Sequence, residues 1–233
     1  MDGFVSVYNV CDKSVATHVV ARPCKLDERV YMKPKPESYN FTYVYDFLFK
    51  DYDTTFPLID FEAGMLTMMN EPWVSCIPAF LKCFEILCGH LSFEPSINIF
   101  MYFYLVKSGK LVAYVSLSVM YDNSLFTLYS SSYKFFKTKF FKLWCHSKDT
   151  EKCLLFHPDS TPRFPQYWQK PTRFKSRVEY LLTLKEREVV DAIRQLPRPI
   201  NSRALLTLPF VEDPDTLFLS MVYFVYMTTT VLV

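Results

Sequence analysis

The chain has 233 residues, half of them hydrophobic and 18% aromatic, so it can bury a core, and disorder is excluded over most of its length. Only 4 glycines occur, too few for the glycine-built loops whose N–H groups close on phosphates, which argues against a nucleotide-cradling enzyme. The net charge of +2 conceals two opposed segments: residues 37–96 hold nine acids against Lys50 and Lys82, a balance of −7, and residues 133–177 hold eleven Lys and Arg against three acids, a balance of +8. Such polarity suits self-association or a polyanionic partner.

In chain order, residues 1–37 read as an N-terminal extension and a linker, because Pro23, Pro34 and Pro36 resist both helix and interior strand. Residues 38–207 read as one α+β domain, mostly helical with a small antiparallel sheet, and residues 208–233 as an apolar tail. Phe41, Val44, Tyr45, Leu48 and Phe49 recur at spacings of three and four and predict a short helix. Phe61, Met65, Leu66 and Met69 predict a second, closed by Asn70 and Pro72. Pro78 opens a third with an apolar face from Phe80 to Leu91 and Gly89 near its end. Ile97 to Val106 is a continuous apolar run, assigned to a buried helix.

Leu111 to Met120 alternates, with Val115, Leu117 and Val119 opposite Ser116 and Ser118, and predicts a strand followed by a turn at Asp122-Asn123-Ser124. A helix is expected over Ser131–Thr138, a strand from Lys139, and an edge strand over Arg163–Trp168 because Pro165 lacks a donor. Thr183 and Glu186 have capping-box spacing before the apolar positions Leu184, Val189, Ala192, Ile193 and Leu196, and a further helical turn is expected from Ser202 to Leu208.

Seven cysteines without a repeated spacing do not resemble a disulfide framework, and the N-terminus lacks the basic and apolar regions of a secretory signal, so an intracellular protein of nucleus or cytoplasm is expected. The uncharged stretch Thr216–Val233 is at the lower edge of a membrane-spanning length and spends five of its 18 residues on Ser or Thr. It reads as a buried or edge strand, with a tail anchor as the alternative.

Catalytic signatures are missing. Ser108-Gly109-Lys110 is a turn rather than a phosphate loop, and no nucleophile elbow or Tyr-x-Asp-Asp occurs. Cys83, Cys88 and His90, or Cys145, His146, Cys153 and His157, are the nearest approach to a metal set, without a paired Cys-x-x-Cys nucleus. No cofactor or metal is expected. The chemically suggestive string is Tyr133-Lys134-Phe135-Phe136-Lys137-Thr138-Lys139-Phe140-Phe141-Lys142, followed by Lys170, Arg173, Lys175 and Arg177. Interleaved lysines and aromatics suit nucleic acid, DNA or RNA, since lysines neutralise phosphates while aromatics stack on unpaired bases. A half-buried helix and strand with Phe inward and Lys outward yields the same string and is the commoner case.

Phe56-Pro57-Leu58-Ile59-Asp60-Phe61, Ile77-Pro78-Ala79-Phe80, Phe84-Glu85-Ile86-Leu87-Cys88, Pro95-Ser96, Phe100-Met101-Tyr102-Phe103, Ser131-Ser132-Tyr133-Lys134 and Arg163-Phe164-Pro165-Gln166-Tyr167-Trp168 occur in this order. In these segments the chain, over about residues 40–207, resembles the gypsy-type transposon (transposase) domain family of plants. The resemblance implies an element-derived protein in the place of a gag-like structural polyprotein, self-associating as a homo-oligomer or contacting nucleic acid. It carries over no catalytic residue, and Ala113-Tyr114 stands where relatives tend to have Gly-Trp. A metal-dependent strand-transfer enzyme, which the family's label suggests, and a tail-anchored membrane protein are the alternatives.

Overall fold

The structure, a computed structural model, describes residues 19–25, 28, 41–46, 48–49, 54, 56–69, 77–108, 115–119, 124–127, 139–145, 155–157, 159, 161–165 and 181–207. The fold is α+β, as expected. Its strands are β1 (Val19–Pro23), β2 (Phe41–Tyr45), β3 (Tyr104–Ser108), β4 (Val115–Val119) and β5 (Phe140–Cys145). Its helices are α1 (Asp60–Met69), α2 (Ile77–His90), α3 (Ile97–Phe103), α4 (Leu184–Arg194) and α5 (Ser202–Thr207). The chain gathers into two compact units, one of Met1–Ser75, Ser108–Val115 and Ser132–Thr172, the other of Cys76–Lys107, Ser116–Ser131 and Arg173–Val233.

In the first unit an antiparallel sheet has the order β1-β5-β2. Side chains alternate across it, so directly paired residues share a face. Phe141, Leu143 and Cys145 of β5, with Val19, Thr42 and Val44 from its neighbours, are buried on one face. Phe49 meets Phe141 and Phe56, and Phe56 meets Phe164, with ring centroids 5.6, 6.0 and 6.3 Å apart. α1 adds Leu66 to an apolar pocket lined also by Val44, Leu48, Phe56 and Phe164.

The helix expected from Phe41 to Phe49 is corrected: Phe41–Tyr45 is strand β2, and among the described residues of this stretch only Leu48 and Phe49 are helical. All five residues of β2 are buried, so apolar positions occur at every offset and a spacing of three or four carries no information. Aromatic and β-branched side chains, together with pairing to β5, decide for the strand. α1 forms where expected. Asp60 and Glu62 place negative charge in its first turn, and the Glu62 carboxylate accepts from Ile59 N at 3.1 Å. The edge strand expected over Arg163–Trp168 is also corrected. Phe156 bridges Pro162, the pairing ends at Arg163 N on Leu155 O, and Phe164 turns into the core before Pro165, which has no N–H to continue a ladder. Residues 166–168 lie outside the described residues.

In the second unit α2 runs through the core, buried at Ile77, Phe80, Leu81, Phe84 and Leu87. It ends at Ser92, which adopts the left-handed conformation (φ 57°) while Phe93 N donates to Cys88 O at 2.8 Å. α3 is capped by Ser96, whose hydroxyl accepts from Asn98 N. The helix expected over Ile97–Val106 stops at Phe103, where Tyr104 becomes extended and opens β3, paired with β4. Phe80 and Phe100 stack on Tyr104 at 5.4 and 4.8 Å, and Phe126 stacks on Phe80 at 5.9 Å.

α4 carries the expected capping box in both directions. Val189, Val190 and Ile193 are buried, but Leu184, expected on the same side, is 76% exposed, because at 100° per residue it lies about half a turn from that stripe. α5 follows as expected and packs on α2, where Cys83 Sγ donates to Ser202 O at 3.5 Å. The Ser131–Thr138 helix, Asp122, Asn123 and the segments 1–18 and 208–233 lie outside the described residues.

Candidate nucleic-acid interface

β5 sits between β1 and β2, and its burial alternates: Phe141, Leu143 and Cys145 are buried, whereas Phe140, Lys142 and Trp144 are half-buried on the opposite face. The register sets Arg22 beside Lys142 and Val20 beside Trp144 on one side. On the other it sets Phe41 beside Trp144, Tyr43 beside Lys142 and Tyr45 beside Phe140. The face turned away from the core is therefore basic and aromatic by strand parity. Arg22 Cζ lies 4.9 Å from the Trp144 ring centroid, Phe41 stacks on Trp144 at 4.9 Å, and Lys142 Nζ lies over Phe41 and Tyr43 at 5.0 and 5.7 Å. Cations held over ring faces are attracted by the ring quadrupole, so these contacts fix the two basic heads in place.

Phe41 and Tyr43, each only 4% exposed, form the floor of this face, while exposed Arg22 and half-buried Trp144, Lys142 and Phe140 form its accessible part. The Trp144 indole N–H is buried and meets no acceptor among the described residues.

Lys142 is ion-paired to Glu28, with side-chain exposures of 15% and 17%. Partial burial alone would raise the Glu28 carboxyl, but the hydrogen bond and charge of Lys142 and the Lys25 N–H at 2.9 Å outweigh it and hold it below the ordinary range. Beside this pair, burial and the Glu28 charge push the Cys24 thiol and the Tyr43 phenol each up to about 12. Both groups stay neutral at physiological pH, and Cys24 is no nucleophile there.

Of the residues expected at the interface, Lys142 lies on this face and Lys139 is exposed just before β5, its carbonyl accepting from Asp46 N at 3.1 Å. Lys134, Lys137, Lys170, Arg173, Lys175 and Arg177 lie outside the described residues. Arg22, Trp144, Tyr43 and Glu28 were not picked out from sequence. Trp144 stands two residues after Lys142 on β5, where the alternation with Phe140 and Lys142 is the signal that could have found it, whereas Arg22, Tyr43 and Glu28 are distant in sequence and reach Lys142 only because β1 and β2 dock on β5.

The remaining chemistry is structural. Cys83 and Cys88 are buried in α2 and Cys145 on the core side of β5, all as free thiols, while His157 is exposed. His146 and Cys153 lie outside the described residues. Among the described residues no three His, Cys, Asp or Glu side chains are grouped to hold a metal ion. The described acids of residues 37–96 serve local roles where their bonds are given: Glu62 caps α1, Asp60 meets Arg163 and Glu85 meets Lys82. Among the described residues no helix is long and apolar enough to cross a membrane, and 216–233 lies outside them. Comparison with protein-family models, curated proteins and solved structures returned no match.

Proposed function

We propose that the chain is a non-enzymatic protein of transposable-element origin that contacts single-stranded nucleic acid through the basic and aromatic face of its three-stranded sheet. The sequence resemblance supports the origin. One observation carries the contact: Arg22, Trp144, Lys142 and Phe140 stand side by side on the face of β1-β5 opposite the core. A sheet face of this composition combines cations for phosphates with part-exposed rings for stacking, the pairing that single strands need and duplexes, with bases already stacked, do not. The basic residues of 133–177, exposed Lys139 among them, supply further charge in the same sequence region. Free thiols at Cys24, Cys83, Cys88 and Cys145 suit a reducing intracellular compartment.

The test is binding of the full chain to labelled single-stranded DNA, single-stranded RNA and duplex across a salt series. Single strands are expected to bind more tightly than duplex, with an affinity that falls linearly in log salt. Trp144→Ala removes a stacking ring worth about 1–3 kcal/mol per base and weakens binding at least about fivefold, and Arg22→Gln lowers the slope by about 0.7 for each phosphate that the guanidinium no longer neutralises. No binding at the lowest salt, or equal slopes for Arg22→Gln and wild type, removes this reading.

A further inference from the structure

We infer that Glu28 is an internal competitor for the anion this face takes: its carboxylate occupies the Lys142 ammonium in the free protein and must leave before a nucleic-acid phosphate can reach it. The inference rests on the reading of the sheet face given above and adds its regulation. Lys142 is held from below by the Phe41 and Tyr43 rings, contacts in which Glu28 takes no part. Glu28 is the acid paired with its ammonium. It comes from the segment just after the outer strand β1, where Glu28 N donates to Lys25 O at 3.1 Å and the Glu28 carboxylate accepts from Lys25 N. The carboxylate also accepts from the Cys24 thiol, and since none of these bonds belongs to the β1-β5 ladder, it can swing off while all five strand pairs from Val19 to Pro23 stay in register. A carboxylate and a phosphodiester both present anionic oxygens to an ammonium, and the position accommodates either. With Glu28 in place the free face lacks one net positive charge that it carries once Glu28 is displaced.

The competition predicts a signature in affinity. In wild type, phosphate binding at Lys142 exchanges one ion pair for another. In Glu28→Gln the ammonium is open and no ion pair has to be broken, so affinity for a single-stranded oligonucleotide rises several-fold at low salt. Lys142→Gln removes the cation that the phosphate meets, which lowers the slope of log K on log salt by about 0.7 and abolishes the gain in the Glu28→Gln background. If wild type binds and Glu28→Gln shows the same affinity, the competitor role is overturned while the face reading stands. If neither binds at the lowest salt, both fall.

A measurement on the unaltered chain guards against a variant that does not fold. Carbodiimide converts the Glu28 carboxyl to an O-acylisourea, and attack of the Lys142 amine on its acyl carbon forms an amide and expels the substituted urea, so the chain loses the mass of one water. Mass spectrometry is expected to find this cross-link in the free protein and to find it suppressed by saturating oligonucleotide. An equal yield with and without bound oligonucleotide overturns the inference.

Discussion

Replacing Glu186 by alanine tests whether one carboxylate ties two helix starts together in the second unit. Its Oε2 accepts from Thr183 N at 2.9 Å, completing the α4 capping box in which Thr183 Oγ1 accepts from Glu186 N at 3.2 Å. Its Oε1 accepts from Ser96 Oγ at 2.7 Å and Asn98 Nδ2 at 3.0 Å, and Ser96 is itself the cap of α3. A cap contributes about 1 kcal/mol and a hydrogen bond to a charged acceptor about 1.5–3 kcal/mol when well desolvated. These groups are only part-buried, so water replaces much of this stabilisation, and about 2 kcal/mol is expected, a fall in Tm of about 4–8 °C for a chain of this size. Burial tends to raise the Glu186 carboxyl, yet the bonds from Thr183, Ser96 and Asn98 prevail and lower it. A group lowered on folding contributes fully above its unfolded value and loses that contribution as pH falls through the folded value. The deficit of Glu186→Gln relative to wild type is therefore constant from neutral pH down to about 5 and shrinks below about 4.5. Thermal unfolding followed by circular dichroism at neutral and acid pH reads both effects. A Glu186→Ala variant within about 0.5 kcal/mol of wild type at neutral pH, or a Gln deficit unchanged in acid, would refute the linkage.

Arg163 donates to Leu58 O at 3.1 Å and to the Asp60 carboxylate at 3.0 Å, but the Asp60 side chain is 96% exposed. Arg163→Ala should cost about 1–2 kcal/mol and Asp60→Asn under about 0.5 in urea unfolding, the reverse order showing that the ion pair dominates. A Cβ added at Gly89 meets nothing within 4 Å, so Gly89→Ala in α2 should stabilise by about 0.5–1 kcal/mol. Ser92→Gly should stabilise by up to about 1 kcal/mol by relieving the left-handed residue; calorimetry showing either variant less stable would contradict these assignments. Burial pushes the Cys83 thiol up, and burial with the charges of Glu85 and Glu94 pushes Cys88 up to about 12. Neither thiol should react with iodoacetamide at mildly alkaline pH until the chain unfolds, as mass spectrometry of the alkylated protein would show.

α1, α2 and α4 were legible because each has either a stripe at helical spacing or a cap that a short sequence window contains, as Thr183 and Glu186 do. β5 was legible from its start at Phe140, since alternation there separates core from face. β2 was not, because burial on both faces erases alternation and leaves propensity and pairing to decide. The change from α3 to β3 at Tyr104 happens without glycine or proline, inside a run that is buried at Phe100, Phe103, Tyr104 and Val106, and no local signal marks it. At the site Lys142 could be read and Glu28 could not. A pairing over this sequence distance is set by where β1 docks on β5, which no window around either residue records.

The two explanations of the lysine and phenylalanine string are also less opposed than they first stand. One alternation on β5 sends Phe141 and Leu143 into the core and Phe140, Lys142 and Trp144 to the other face, so building a half-buried strand and building a basic, aromatic face are the same act. What decides whether that face can exchange partners is the state of its central charge. A fully buried ion pair leaves an uncompensated charge when one member departs, at about 3–5 kcal/mol, and an exposed pair holds its members by under about 1 kcal/mol. Glu28 and Lys142, at 17% and 15% exposure, lie between these limits. Glu28 can regain water on leaving, and Lys142 stays stabilised by the Phe41 and Tyr43 rings beneath it. The pair is thus strong enough to be the resting state and weak enough to exchange its carboxylate for another anion, which the proposed phosphate contact requires.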